Sequence, residues 1–307
     1  MALLTVDRLT KRFEGTLAVD GISFAIGEGR CVALLGPNGA GKTTTIRMLT
    51  GLLQPSSGAI RLEGMKPGQD LRAWIGYLPQ TPAFYGWMTG REFLVYAGRL
   101  CGLSAKEAYA RSDELLARVG IGAAGKRRIS GYSGGMKQRL GLAQALIHRP
   151  KLLILDEPVS ALDPIGRREV MTLLGELKSE TTVLFSTHVL HDAEELCDDV
   201  LIMSAGRLAE GGSLSGIREA NRQPMMSLET EGDSRSKEWL EGWLKRLPAG
   251  FEAASATPAG ARLIVRDLET ARRTVIRELA DADVRVTKLE VGYTTLEDLF
   301  LKAVAHS

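Results

Sequence analysis

Residues 31–53, CVALLGPNGAGKTTTIRMLTGLL, set an apolar strand, a glycine-rich turn and a helix in direct succession. Gly36, Gly39, Gly41, Lys42 and Thr43 fit the pattern G-x-x-x-x-G-K-[ST], with Pro37, Asn38 and Ala40 inside the turn and Thr44 one step further on. Glycines let the backbone curl until its N–H groups point inward, and the following helix aims its partly positive N-terminus at the same point. The product is a cradle for phosphate oxyanions. Lys42 supplies a point charge for β- and γ-phosphates, and the Thr43 hydroxyl is a hard oxygen ligand for Mg²⁺. The stretch therefore predicts a nucleoside triphosphate site.

Two later runs end in chemistry of the same kind. KLLILDEP, residues 151–158, carries four apolar strand residues into Asp156 and Glu157, at the carboxyl end of the strand where open α/β sheets bind ligands. Asp156 can hold magnesium, directly or through water, and Glu157 can polarise a water in line with the γ-phosphate. TTVLFSTH, residues 181–188, ends in His188. That histidine reads either as a γ-phosphate partner or as a plain strand-end residue. His148, His191 and His306 lie on predicted helices or in the tail, where a surface reading suffices.

From residue 136 onward, helices alternate with continuous apolar strands, the pattern of a sheet covered on both faces. The first sixty residues read as short strands separated by glycines, and residues 91–119 as helical, with Gly120 as a C-cap. EGGSLSG, residues 210–216, reads as a linker. Beyond it the order β-α-β-β-α-β-α predicts a second, split βαβ domain.

Composition limits the rest. With 307 residues and 44% hydrophobic content, the chain has room for one large domain and a smaller one. Its longest apolar runs, CVALLG and LLIL, fall far short of the roughly 20 residues that span a bilayer. MALLTVDRLTKRF has no secretory core. Cys31, Cys101 and Cys197 are odd in number and lack C-x-x-C spacing, so reduced packing cysteines and a cytoplasmic location are expected. A net charge of +2 does not point to nucleic acid, although residues 99–139 hold nine Lys/Arg against three Asp/Glu.

The stretch YSGGMKQRL, residues 132–140, opens a helix with a serine and two glycines. Ser133 can cap that helix, while Gly134 and Gly135 leave its amides open to a second phosphate contact. In their order, these pieces resemble the nucleotide-binding subunit of ABC transporters over about residues 1–217. YSGGM is similar to the ABC signature, with Tyr132 in place of leucine and Met136 in place of glutamine, both familiar among exporter-type cassettes. SALDP, residues 160–164, resembles the D-loop with its acid Asp163, and YLPQ resembles the Q-loop with Gln80. Phe13 sits where family members stack an aromatic on adenine, its other reading being an ordinary strand residue.

The resemblance implies an α/β fold. Its phosphate-loop (RecA-like) ABC ATPase core would carry an N-terminal antiparallel β subdomain and a helical subdomain at about 81–145, with a small α+β C-terminal domain at 218–307 after the ATPase domain at 1–217. It implies ATP and Mg²⁺, with Thr43, Gln80 and Asp156 on the metal and Glu157, His188 and Gln80 in catalysis. ATP would lie between the phosphate loop of one subunit and Ser133, Gly134, Gly135 and Asp163 of another, in a homodimer or heterodimer. An integral membrane permease on another chain would hold this dimer at the inner face of the cell membrane, with no nucleic acid partner. The aromatics Phe84, Tyr85, Trp87 and Met88 beside them suit a groove for a permease helix or the core of the helical lid. Lys126, Arg127 and Arg128 read as a phosphate or lipid contact or as a solvated face. TTLEDLFLKAV, residues 294–304, resembles the tail of drug, antibiotic and lipid exporter ATPases.

Other classes share parts of the pattern. Importer ATPases of the maltose type carry a different C-terminal domain. Soluble ABC ATPases that act on DNA need a long coiled coil between phosphate loop and signature, and those acting on ribosomes usually fuse two cassettes. A small-molecule kinase would leave the signature, the D-loop and His188 unexplained.

Overall fold

The computed structural model describes every residue except 67, 68, 161, 306 and 307, so His306 and one residue of SALDP lie outside the described residues. The chain packs as two compact units, Met1–Leu214 with the stretch from Phe300, and Ser215–Leu299.

The first unit begins with two long strands, β1 (Ala2–Phe13) and β2 (Thr16–Gly27), then β3 (Cys31–Leu35), α1 (Lys42–Leu49), β4 (Ser57–Leu62) and β5 (Ile75–Leu78). Three helices follow, α2 (Gly90–Leu100), α3 (Ala105–Arg118) and α4 (Gly134–Ala145). The unit continues as β6 (Leu152–Asp156), α5 (Pro164–Leu177), β7 (Thr182–Thr187), α6 (Leu190–Leu196), β8 (Asp199–Ser204) and β9 (Arg207–Ser213), and α7 (Leu214–Ala220) leads out of it.

Strands β2, β1 and β4 form an antiparallel sheet in that order, the N-terminal β subdomain. A six-stranded sheet has the order β5-β6-β7-β3-β8-β9. Every pair in it is parallel except β8 with β9. Every residue of β3, β6 and β7 is buried, as strands covered on both faces must be, and this is why CVALL, LLIL and VLF run without polar alternation. Because β5, β6, β7 and β3 are adjacent and parallel, the residues that follow them emerge along one edge. Gln80, Asp156 with Glu157, His188 and the phosphate loop therefore share the carboxyl edge of one sheet.

Two expectations change. The helical run 91–119 is two helices: Gly102 takes φ 87°, and Ser104 starts α3 with a capping box to Glu107. Gly120 does follow the second helix, at φ 73°. The glycines of EGGSLSG do not form a linker, because Gly211 and Gly212 pair with Leu201 and Val200 inside edge strand β9. Cys31 and Cys197, distant in sequence, are free thiols with sulfurs 3.9 Å apart. Their hydrogen bond and burial push the Cys197 thiol far up, keeping it protonated.

The second unit contains β10 (Pro224–Thr230), α8 (Ser234–Leu244), β11 (Phe251–Thr257), β12 (Gly260–Val265), α9 (Leu268–Asp281) and β13 (Val286–Tyr293), and α10 (Leu296–Ala305) ends the described chain. Its antiparallel sheet has the order β11-β12-β10-β13, the split βαβ arrangement. Met226, Leu228, Leu263 and Val275 form its core with Trp243, which stacks on Trp239 at 5.4 Å and meets Phe251 edge-on at 6.1 Å. Trp243→Ala is expected to cost this unit about 3–5 kcal/mol. Chemical unfolding of the full chain checks this, and an unchanged first transition would remove Trp243 from the core.

Candidate functional site

The phosphate loop joins the buried strand β3 to α1. Gly41 takes φ 100°, and a Cβ there would lie 2.6 Å from the Ala18 carbonyl oxygen, so the close turn needs glycine. The Lys42 ammonium is buried and donates to the carbonyl oxygens of Gly36 at 2.7 Å and Pro37 at 3.1 Å. Burial lowers its pKa, and the carboxylates of Glu157 and Asp156 push it back up. Gly39 also has positive φ, and Thr43 and Thr44 occupy the first turn of α1.

At the end of β6, Asp156 is 1% exposed. Its Oδ1 accepts from the Thr43 hydroxyl at 3.3 Å and from the Ser186 hydroxyl at 2.6 Å. The Ser186 oxygen in turn accepts from the Glu157 N–H at 2.9 Å. Glu157 has φ 48°, a left-handed conformation that costs a non-glycine residue roughly 1–2 kcal/mol. Its Oε1 lies 3.2 Å from His188 Nδ1. With Nδ1 protonated, His188 donates to Glu157 and keeps Nε2 as an acceptor. The Glu157 side chain is only 12% exposed and that of His188 53%, so the pair spans the boundary between core and solvent. Gln80, two residues past β5, is exposed. Phe13 ends β1 with 45% exposure and carries Lys11 Nζ 5.2 Å from its ring centroid, so its ring is not a core residue.

A second site is built at α4. Ser133 is its N-cap and accepts from the Met136 N–H at 3.2 Å, and Asp163 caps α5 by accepting from Gly166 N–H at 2.7 Å. Ser133, Gly134, Gly135, Leu162 and Asp163 line one cleft of about 530 Å³. Lys42 and the other phosphate-loop residues do not line it. The phosphate loop and the signature residues thus stand at two separate places in one chain.

Comparison with known proteins agrees with this geometry. The ABC transporter family matches residues 19–160, and a family described as the C-terminal domain of DrrA1-3-like ATP-binding proteins matches residues 212–304. The uncharacterized ABC transporter ATP-binding protein YxlF of Bacillus subtilis (strain 168) is 49% identical over 98% of this chain and 99% of its own. This chain belongs to the ABC transporter ATP-binding proteins. The daunorubicin resistance ATP-binding protein DrrA3 of Streptomyces coeruleorubidus is 35% identical over 97% of this chain and 94% of its own. A solved ATP-binding subunit of an ABC transporter superposes with a TM-score of 0.65 at 34% identity, over 71% of this chain and 92% of that one.

As an ABC ATPase, the chain shows why Tyr132 stands where leucine is commoner. Its ring is 5% exposed and its hydroxyl donates to the Ala124 carbonyl oxygen at 2.7 Å, anchoring the signature to the helical subdomain. The aromatic run after Gln80 divides. Phe84 packs edge-on against buried Phe93 at 5.0 Å, whereas Tyr85, Trp87 and Tyr96 form an exposed cluster. Lys126, Arg127 and Arg128 are exposed. The surface reading of His148 fails: both ring nitrogens are buried, and burial lowers its pKa.

Sequence reasoning missed three residues of this ABC ATPase. Ser186 joins Asp156 to Glu157, and Gln138 donates to the Pro158 carbonyl oxygen at 2.9 Å. Arg167, on α5, grips the buried Asp192 with two hydrogen bonds of 2.6 Å. Ser186 lies inside β7, two residues before His188, and every position of that strand is buried, so no alternation sets it apart.

Proposed function

We propose that this chain is the ATP-hydrolysing subunit of a multi-subunit ABC exporter, coupling ATP-driven dimerisation to movement of a substrate by a separate membrane permease. The observation that carries it is the pairing of two incomplete half-sites, a phosphate loop with Glu157 and His188 at the sheet edge and a Ser133–Gly135 cleft apart from them. Joined head to tail, two copies, or this chain and a second ATP-binding subunit, would complete two sites in a closed pair.

In this reading Lys42 holds the β- and γ-phosphates, and Gly36, Pro37, Asn38, Gly39, Ala40, Gly41 and Thr44 shape the cradle. Phe13 stacks on adenine. Ser133, Gly134, Gly135 and Asp163 complete the partner's site. Glu157 accepts a hydrogen bond from the attacking water, His188 holds Glu157 and contacts the γ-phosphate, and Gln80 senses that water. The side-chain oxygens of Thr43, Asp156 and Gln80 are hard ligands that fit Mg²⁺, and the first two already converge at 3.3 Å. Bound there, Mg²⁺ would neutralise phosphate charge. Hydrolysis removes the γ-phosphate that joins the half-sites, so the pair opens.

Export is favoured by the DrrA-like C-terminal match and by the daunorubicin resistance relative. Among the described residues no helix is long and apolar enough to cross a membrane, and the permease is proposed to be a separate chain. Tyr85, at 51% exposure, and Trp87, at 68%, form the apolar seat proposed for its cytoplasmic segment, which would place this chain at the inner face of the membrane. Tagged chain purified from gently solubilised membranes should bring down an integral membrane protein. Replacing Tyr85 and Trp87 with alanine should cut that yield by about tenfold without lowering ATP affinity. A ribosome or DNA complex in its place would overturn the reading.

A further inference from the structure

Glu157 holds a backbone conformation that its own chemistry disfavours, so neighbouring groups must keep it there. Three do. Ser186 accepts from its N–H at 2.9 Å, and Ser160 donates to its carbonyl oxygen through N–H at 3.3 Å and hydroxyl at 3.0 Å. The third comes from elsewhere in the fold. Gln138, 2% exposed on α4, donates its amide to the carbonyl oxygen of Pro158, the next residue, at 2.9 Å. Gln138 lies one helical turn beyond Gly134 and Gly135, on the helix whose N-terminus faces the signature cleft.

We infer that Gln138 and Ser186 are positioning residues that hold Glu157 in its left-handed conformation, and that Gln138 ties this conformation to the signature helix of the same chain. The inference rests on Glu157 as the group that orients water. A shift of α4 on meeting a partner's nucleotide would pass through a single buried amide to the peptide next to Glu157. Ser186 fixes the same residue from the sheet side, and its hydroxyl proton goes to Asp156, so one hydroxyl ties the Asp156 carboxylate to the backbone of Glu157. Neither side chain needs to touch nucleotide to act.

Gln138→Leu removes the donor at similar volume, and Ser186→Ala removes both bonds with little change in bulk. Each is expected to lower kcat of the full chain by roughly 10- to 100-fold with KM for ATP changed by less than about twofold. Gln138→Glu supplies a second readout. Its carboxyl can donate to the Pro158 carbonyl only when protonated, and burial raises the pKa of such a group, so its kcat relative to wild type should recover as pH falls, while that of Gln138→Leu stays flat. In a Glu157→Gln background, Gln138→Leu should still trap the ATP-bound dimer, because it acts through Glu157. Wild-type turnover in both Gln138→Leu and Ser186→Ala, or loss of the trapped dimer, overturns the inference. Brisk hydrolysis by Glu157→Gln alone overturns the role of Glu157 instead, so the two failures are distinguishable.

Discussion

Glu157→Gln is expected to lower ATP turnover by about 10³-fold while leaving ATP affinity within about twofold of wild type, and to accumulate a nucleotide-bound dimer. The amide has the shape of the carboxylate and can still accept from His188 through its oxygen, so the 3.2 Å contact and the surrounding fold should survive. What disappears is the negative charge proposed to orient water and accept its proton. Positioned proton transfer of this kind contributes about 10² to 10⁴ in rate, which sets the expected loss. Binding should persist because the phosphate contacts proposed for Lys42 and the loop do not involve Glu157. Lys42 does lose one of the two carboxylates that raise its pKa against burial, and Asp156 remains as the other. Single-turnover hydrolysis and gel filtration with Mg²⁺ and ATP check both halves of the result. Residual turnover near the wild-type rate would assign the water to another group.

The parts of the site that could be read from sequence are those attached to buried parallel strands. Gly36 and Asp156 each follow an unbroken apolar run, and His188 follows the apolar Val183–Phe185 by two polar residues; such strands end at the ligand-binding edge of a sheet, so type and position were legible together. The strand order β5-β6-β7-β3, which makes those ends neighbours, was not, since local pattern is silent on which strands pair. Ser186 and Gln138 stayed hidden for a related reason. A buried serine in a strand and a glutamine inside a helix look ordinary until the groups they bond, Glu157 N–H and Pro158 carbonyl, are brought alongside. The glycines of EGGSLSG misled because turn residues signal a linker locally, whereas β8 recruits them into an edge strand. In the second unit the element order matched the pattern read from the sequence.

Gly134→Trp should abolish steady-state hydrolysis, by about 100-fold or more, while the monomer binds ATP as before. Position 134 is the first residue of α4, exposed, and a Cβ built there meets nothing within 4 Å. A Cβ added there therefore disturbs no packing, and replacing glycine in a helix tends to stabilise it, by about 1 kcal/mol for alanine. The cost falls on whatever must approach the helix N-terminus from outside, where an indole would occupy the cleft between Ser133 and Asp163. If that cleft receives the γ-phosphate of a partner's ATP, the closed dimer cannot form, and the isolated phosphate loop keeps its affinity. Gly135 would be a poorer choice, because its Cβ would lie 3.2 Å from Leu162 and blur a packing defect with a docking defect. Gly134→Ala, small enough to leave room beside a phosphate, should keep more activity than Gly134→Trp. Equal melting temperatures and equal nucleotide affinity for the two variants, with turnover lost in the larger, would locate the defect between subunits. Unchanged turnover in Gly134→Trp would instead mean that each chain hydrolyses ATP without help from the signature of another.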